Sequence, residues 1–142
     1  GEKGLLEELG NIKNSMKVAK MISILYDGKC KICSKEINYY KNISKNNIFT
    51  WYDITNEPKI LDLYGISQEK ALLYLHAVDK NSNIHIGVDA FILIWKNLKY
   101  WNILAIFVSI PIVKTICNFI YKIFAKYRFS KLSHCQLSIN KN

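Results

Sequence analysis

The chain has 142 residues, half of them hydrophobic and 22% charged, so it is one domain's length, can bury a core without disulfide staples, and is not a disordered chain. Its net charge of +9 invites nucleic acid as a partner, but 19 of its 20 basic residues are Lys and only Arg128 is Arg, beside abundant Ile and Asn, the bias an AT-rich genome imposes. Base-edge readout leans on the planar fork of Arg, and no basic cluster or binding motif is present, so no nucleic-acid partner is expected.

Residues 1–20 place Leu5, Leu6, Leu9, Ile12 and Met16 at helical spacing, but Gly4 and Gly10 interrupt the pattern and leave at best a marginal helix. This segment lacks the charged start and apolar core of a secretory signal. It is read as a leader or an appended remnant outside the core, with Met16 or Met21 as the natural start. Residues 21–26 (MISILY) are an apolar, β-prone run of the kind buried on both faces of a sheet, and Asp27-Gly28 ends it with turn chemistry.

A helix is expected over 33–43, with Ile37, Tyr40 and Ile43 on one side and Lys35, Glu36 and Lys41 elsewhere, before a break at 44–47. Residues 48–54 read as a second strand and 58–64 as a short helix closed by Gly65. Two further strands, 71–78 and 83–88, are joined by the turn-forming residues 79–82. Asp89 then caps a helix that runs through residue 97, and 101–127 continues as one or two helices divided at Pro111.

The order is β-α-β-α-β-β-α with extra C-terminal helices. A Cys-x-x-Cys pair, Cys30 and Cys33, stands where the first strand meets the first helix, which is the layout of a thioredoxin-like α/β domain. The domain is expected to span 21–132, leaving 133–142 as a tail.

Residues 101–113 are nearly all apolar but fall short of the ~18 to 20 residues that span a bilayer, so no transmembrane segment is expected. Beyond them Lys114, Asn118, Lys122 and Lys126 recur every fourth residue, while Ile116, Phe119, Ile120 and Ile123 fill the other side. The plain expectation is a helix packed on the sheet with a solvated lysine face. A peripheral membrane contact or a docked partner is the alternative.

The thiolate is the species that attacks a disulfide, and Cys30 has surroundings that favour one: unpaired N–H groups at the helix start, and Lys29 and Lys31 on either side. Cys33, one turn later, is expected beneath it and less accessible, so Cys30 is read as the nucleophile and Cys33 as the resolving thiol. Asp27 either anchors the loop through its N–H groups or accepts a proton from Cys33; the two roles shift its pKa in opposite directions.

Zinc is the chief rival, but no second Cys-x-x-Cys or spaced His pair is present. His134-Cys135 is the nearest candidate, and adjacent residues seldom converge on one ion, so no metal or other cofactor is expected. A third reading is two inert buried thiols. Cys117 and Cys135 stand alone, and four cysteines so spaced suit a reducing, cytoplasmic setting rather than a disulfide scaffold. His76 and His85 read as half-buried strand residues with no obvious carboxylate partner, and Trp51, Trp95 and Trp101 as packing residues.

With those residues in hand, YDGKCKIC resembles the start of the DCC family of thiol-disulfide oxidoreductases, whose name-giving Asp and two Cys correspond to Asp27, Cys30 and Cys33. Residues 76–95 resemble that family's middle signature, a hairpin leading through Gly87 and Ala90 into a helix with Trp95. Residues 120–132 resemble its closing helix, with Tyr121 and Arg128. The resemblance covers about 21–132 and implies a thioredoxin-like fold, dithiol chemistry, and a protein or small-molecule disulfide or thiol as substrate.

Two departures stand out. Thioredoxins place a cis-proline just before the third strand, and residues 67–71 (SQEKA) have none, which puts a thioredoxin-style peptide groove in doubt. Ser82 occupies a turn position where relatives often carry Gly, and Asn81 or Asn83 is expected to take up the left-handed conformation. The competing function class is a non-catalytic module of the same fold that docks through its basic C-terminal helix.

Overall fold

The computed structural model describes residues 2–9, 21–45 and 47–139. Residues 2–9 form helix α1, exposed along its whole length; the rest of the expected leader lies outside the described residues. Strand β1 (Ile22–Tyr26) is the keystone. It pairs in parallel with β2 (Phe49–Asp53) on one side and antiparallel with β3 (His76–Val78) on the other, and β3 pairs antiparallel with β4 (Ile84–Ile86). The sheet order is β2-β1-β3-β4, a mixed α/β arrangement consistent with the thioredoxin-like fold.

A strand alternates its side chains between faces, so β1 feeds two cores. Ile22 and Ile24 point with Phe49 and Ala77 into a cluster closed by Ile37 and Tyr40 of α2 (Lys31–Ile43) and by Ala90 and Ile94 of α5 (Val88–Lys96). Trp95 and Trp101 stack at this cluster's edge, with ring centres 6.1 Å apart, and Trp95 Nε1 donates to the Tyr40 hydroxyl at 3.0 Å. Leu25 points the other way, toward Leu61 of α3 (Lys59–Tyr64), Ala71 and Leu72 of α4 (Gln68–Leu73), Phe129 of α7 (Pro111–Lys131) and Cys135 of α8 (Ser133–Ile139). A smaller cluster joins Val88 and Ile92 to Ala105 and Val108 of α6 (Asn102–Val108).

The parallel β1–β2 pair needs a crossover, and α2 supplies it, starting two residues before the expected position. Gly65 closes α3 in the left-handed conformation, φ 66°, as expected of a helix-ending glycine. Pro111 opens α7 as its first residue, so the break between α6 and α7 also falls where the sequence put it.

Four local expectations are corrected. Residues 71–78 are not one strand: Ser67 caps a helix by accepting the Lys70 N–H, and only His76–Val78 pairs in the sheet. In the hairpin, Asp79 Oδ1 accepts the N–H groups of Asn81 and Asn83, and Ser82 itself takes φ 66°. Helix α5 is entered through Gly87 at φ 64°, and Asp89 sits in its first turn rather than at its cap. The segment expected as a tail is helical over Ser133–Ile139, with Cys135 and Ser138 buried.

Candidate active site

Loop 27–30, between β1 and α2, is pinned on both sides. Asp27 Oδ1 accepts the Lys29 N–H at 3.0 Å, its carbonyl accepts the Cys30 N–H, and Ser34 Oγ donates to the Gly28 carbonyl at 2.9 Å. Gly28 N–H donates to Asp53 Oδ1, an oxygen that also takes the N–H and hydroxyl of Thr55, while Asp53 Oδ2 takes Asn56 Nδ2. A Cβ on Gly28 would lie 1.8 Å from Asp53 Oδ2. Gly28→Ala therefore evicts a carboxylate that holds several hydrogen bonds. We expect a loss of about 1 to 3 kcal/mol in urea unfolding, and a rise in thiol reactivity as the loop loosens.

Cys30 is the N-cap of α2, and its Sγ accepts the Cys33 N–H at 3.3 Å. That cap geometry overturns the expected accessibility. Cys30 folds back over the first turn and is 3% exposed, whereas Cys33 is half-buried; Lys29 and Lys31 remain exposed on either side. All four cysteines are free thiols. Burial, followed by the hydrogen bond to Cys30, raises the Cys33 pKa far above the ordinary thiol range. Cys33 thus keeps its proton at neutral pH and directs it toward Cys30.

Asp27 is buried and its second oxygen gathers the C-terminal helices. Oδ2 accepts from Arg128 Nη1 at 3.3 Å, His134 Nε2 at 2.7 Å and Cys135 Sγ at 3.7 Å. Arg128 also donates through Nη2 to the carbonyls of Leu72 and Leu73. Both oxygens of Asp27 are bonded as in the anchor reading, and the Cys33 sulfur is not among their hydrogen-bond partners.

His134 and Cys135 were weighed only as a metal pair and set aside because adjacent residues seldom converge on one ion. Leu132, Cys135 and Ile139 in fact keep helical spacing, the signal that could have found them. Though adjacent, the two side chains do converge, 3.6 Å apart, and with Asp27 present three ligand atoms to one point. The Arg128 guanidinium shares the same carboxylate oxygen, and burial, then Asp27, pushes the Cys135 thiol up to about 11, so it donates to that oxygen.

A cleft opens beside Cys33, walled by Ile32, Tyr74, Phe91 and Phe124 and carrying Asp27, Glu36 and Arg128 as its charged groups. Tyr121 lines it as well. Its hydroxyl accepts the Leu75 N–H at 3.0 Å, and its ring would lie 3.1 Å from a Cβ on Gly87, which explains why this position needs glycine. Backbone groups just before β3 are therefore taken up by Arg128 and Tyr121. No cis peptide bond occurs among the described residues.

The two strand histidines stay apart from this site. Burial lowers the His76 pKa, and its Nδ1 donates to the Tyr74 carbonyl. His85 does have a carboxylate partner: its Nε2 lies 2.8 Å from Asp79 Oδ2 and holds that acid down at about 2.

Comparison with known proteins bears on the same residues. The model of the DCC1-like thiol-disulfide oxidoreductase family matches residues 24–133, which include Asp27, Cys30, Cys33, Tyr121 and Arg128 and stop short of His134 and Cys135. An uncharacterized chloroplastic protein of Arabidopsis thaliana is 28% identical over 109 residues, 75% of this chain and 50% of its own length. No solved structure matches.

Proposed function

The chain belongs to the DCC1-like thiol-disulfide oxidoreductase family, and from that premise we propose that Cys30 and Cys33 are a working dithiol, Cys30 attacking and Cys33 resolving. The observation that carries this reading is the pairing of the two residues at the start of α2. Cys30 Sγ receives an N–H at the positive end of the helix, while Cys33 is held as a thiol that hydrogen-bonds to it. A Cys30 thiolate attacks one sulfur of a substrate disulfide, and the other sulfur leaves as a thiolate and takes a proton. Cys33 then loses its proton and attacks Cys30, the mixed disulfide breaks, and the second substrate thiol departs. The protein, starting as the Cys30 thiolate and the Cys33 thiol, has given up two electrons and one proton and holds a Cys30–Cys33 disulfide; solvent supplies the second proton.

Access favours small substrates. Cys30 is buried, the cleft leads to Cys33, and Arg128 and Tyr121 occupy the backbone groups before β3 that an extended peptide would need. We therefore propose a small-molecule disulfide, or a protruding side-chain disulfide, rather than a peptide backbone laid along the sheet. The free thiols suit a reducing, cytoplasmic setting as part of this reading.

The test is turnover of glutathione disulfide and of a disulfide-bonded protein, each with excess dithiol reductant. Faster reduction of the small substrate supports the proposal; equal inertness toward both favours a binding module. A narrower expectation concerns Cys33 alone. In a Cys30→Ser protein, Cys33 should react with iodoacetamide at pH 8 at least about tenfold more slowly than a free cysteine, because burial keeps it protonated, and the rate should still be climbing above pH 9.

A further inference from the structure

Helix α7 is apolar on two opposite sides. Its inner side, carrying Tyr121, Ala125 and Phe129, meets the body of the protein. Its outer side was expected to pack on the sheet and does not: Ile112, Ile116, Phe119, Ile120 and Ile123 share one face by their spacing and are each 55–74% exposed. Helix α6 extends this surface with Ile103, Ile106 and Phe107, each 55–72% exposed, across the 95° bend between the helices. Water-facing apolar surface of this extent marks a docking site.

Charge identifies the cover. Asp89 is the last acidic residue of the chain, and Lys114, Lys122, Lys126, Arg128 and Lys131 all follow it. Lys122 and Lys126 flank the apolar stripe and are exposed, while Lys114 pairs with Asp89 at 2.5 Å. A protein interface carries about one hydrogen bond per 100 to 200 Å², yet the stripe from Ile112 to Ile123 is made of side chains that form none. Aliphatic and Phe side chains bordered by lysines, with no acid on either helix, match acyl chains beneath anionic headgroups. Among the described residues no single helix is long and apolar enough to cross a membrane.

We propose that α6 and the outer face of α7 lie in the surface of an anionic phospholipid bilayer, the apolar stripe among the acyl chains and Lys122 and Lys126 at the headgroups. Phe124, at the edge of this face, also lines the cleft beside Cys33, so the docked protein holds its dithiol near the lipid surface.

Flotation of the full chain with vesicles tests this. With equal parts phosphatidylcholine and phosphatidylglycerol the protein should float, and with phosphatidylcholine alone it should bind at least about tenfold more weakly, as it should with the mixed vesicles in high salt. The double variant Ile116→Glu/Phe119→Glu should lose flotation while keeping its circular dichroism and glutathione disulfide turnover, since both positions are exposed. Lys122→Glu/Lys126→Glu should lose only the preference for phosphatidylglycerol. A wild-type monomer that stays unbound overturns the proposal, as does flotation indifferent to these substitutions. A wild-type dimer that ignores vesicles and falls to monomer on Ile116→Glu/Phe119→Glu also overturns it, by assigning the face to a second copy.

Discussion

Cys30→Ser should abolish disulfide exchange, lowering turnover of a disulfide substrate by at least about a hundredfold, while Cys33→Ser should still attack once and then stall as a mixed disulfide. The asymmetry follows from the start of α2. Cys30 Sγ sits at the helix cap and receives the Cys33 N–H, whereas Cys33 is kept as a thiol by burial and by its bond to Cys30. Without Cys33 nothing displaces the bound half of the substrate. Mass spectrometry of Cys33→Ser after incubation with glutathione disulfide should find one glutathione on Cys30, removable by dithiothreitol. Because Cys33 is the more exposed residue, the opposite pattern, an adduct on Cys33 in Cys30→Ser and none in Cys33→Ser, would reverse the two roles.

Arg128→Ala should be the most destabilising single change on the site. The guanidinium joins Asp27 to the carbonyls of Leu72 and Leu73, and the Arg128 and Asp27 side chains are 10% and 3% exposed. Removing the guanidinium leaves a buried carboxylate with the Lys29 N–H, His134 and Cys135 as its donors and no fixed positive charge beside it, which costs about 3 to 5 kcal/mol. In thermal unfolding this is a drop in Tm of about 10 °C or more. Arg128→Lys should recover only part of it, since one ammonium cannot reach a carboxylate and two carbonyls in a planar fork. A variant with Ala at 128 that unfolds like the parent would show that the Lys29 N–H, His134 and Cys135 hold Asp27 without the guanidinium.

Much of this arrangement was legible in the sequence because it rests on local chemistry. The MISILY run, the Asp27-Gly28 turn and the Cys30 helix start lie within a few residues of one another, and Gly65 and Pro111 mark helix ends by backbone preference. What escaped was set by partners distant in sequence. Residues 71–73 look β-prone, yet Ser67 caps them into a helix whose end carries the carbonyls that meet Arg128. His134 and Cys135 reach Asp27 from more than a hundred residues away, a closure that no spacing rule announces. Cys30 was expected to be open because lysines flank it, but exposed neighbours do not make an exposed sulfur when the cap turns it inward. The outer face of α7 misled for a related reason: apolar periodicity says that a face is to be covered, not by what.

The dithiol itself is tested most directly by equilibrating the protein across a series of reduced and oxidised glutathione mixtures, quenching with acid, alkylating, and mapping the peptides. The account predicts a single reversible transition in which Cys30 and Cys33 lose their alkyl labels together and appear as one linked peptide, while Cys117 and Cys135 stay labelled throughout. Cys30 and Cys33 remaining alkylated across the whole series, or pairing with Cys117 or Cys135 instead, would contradict it.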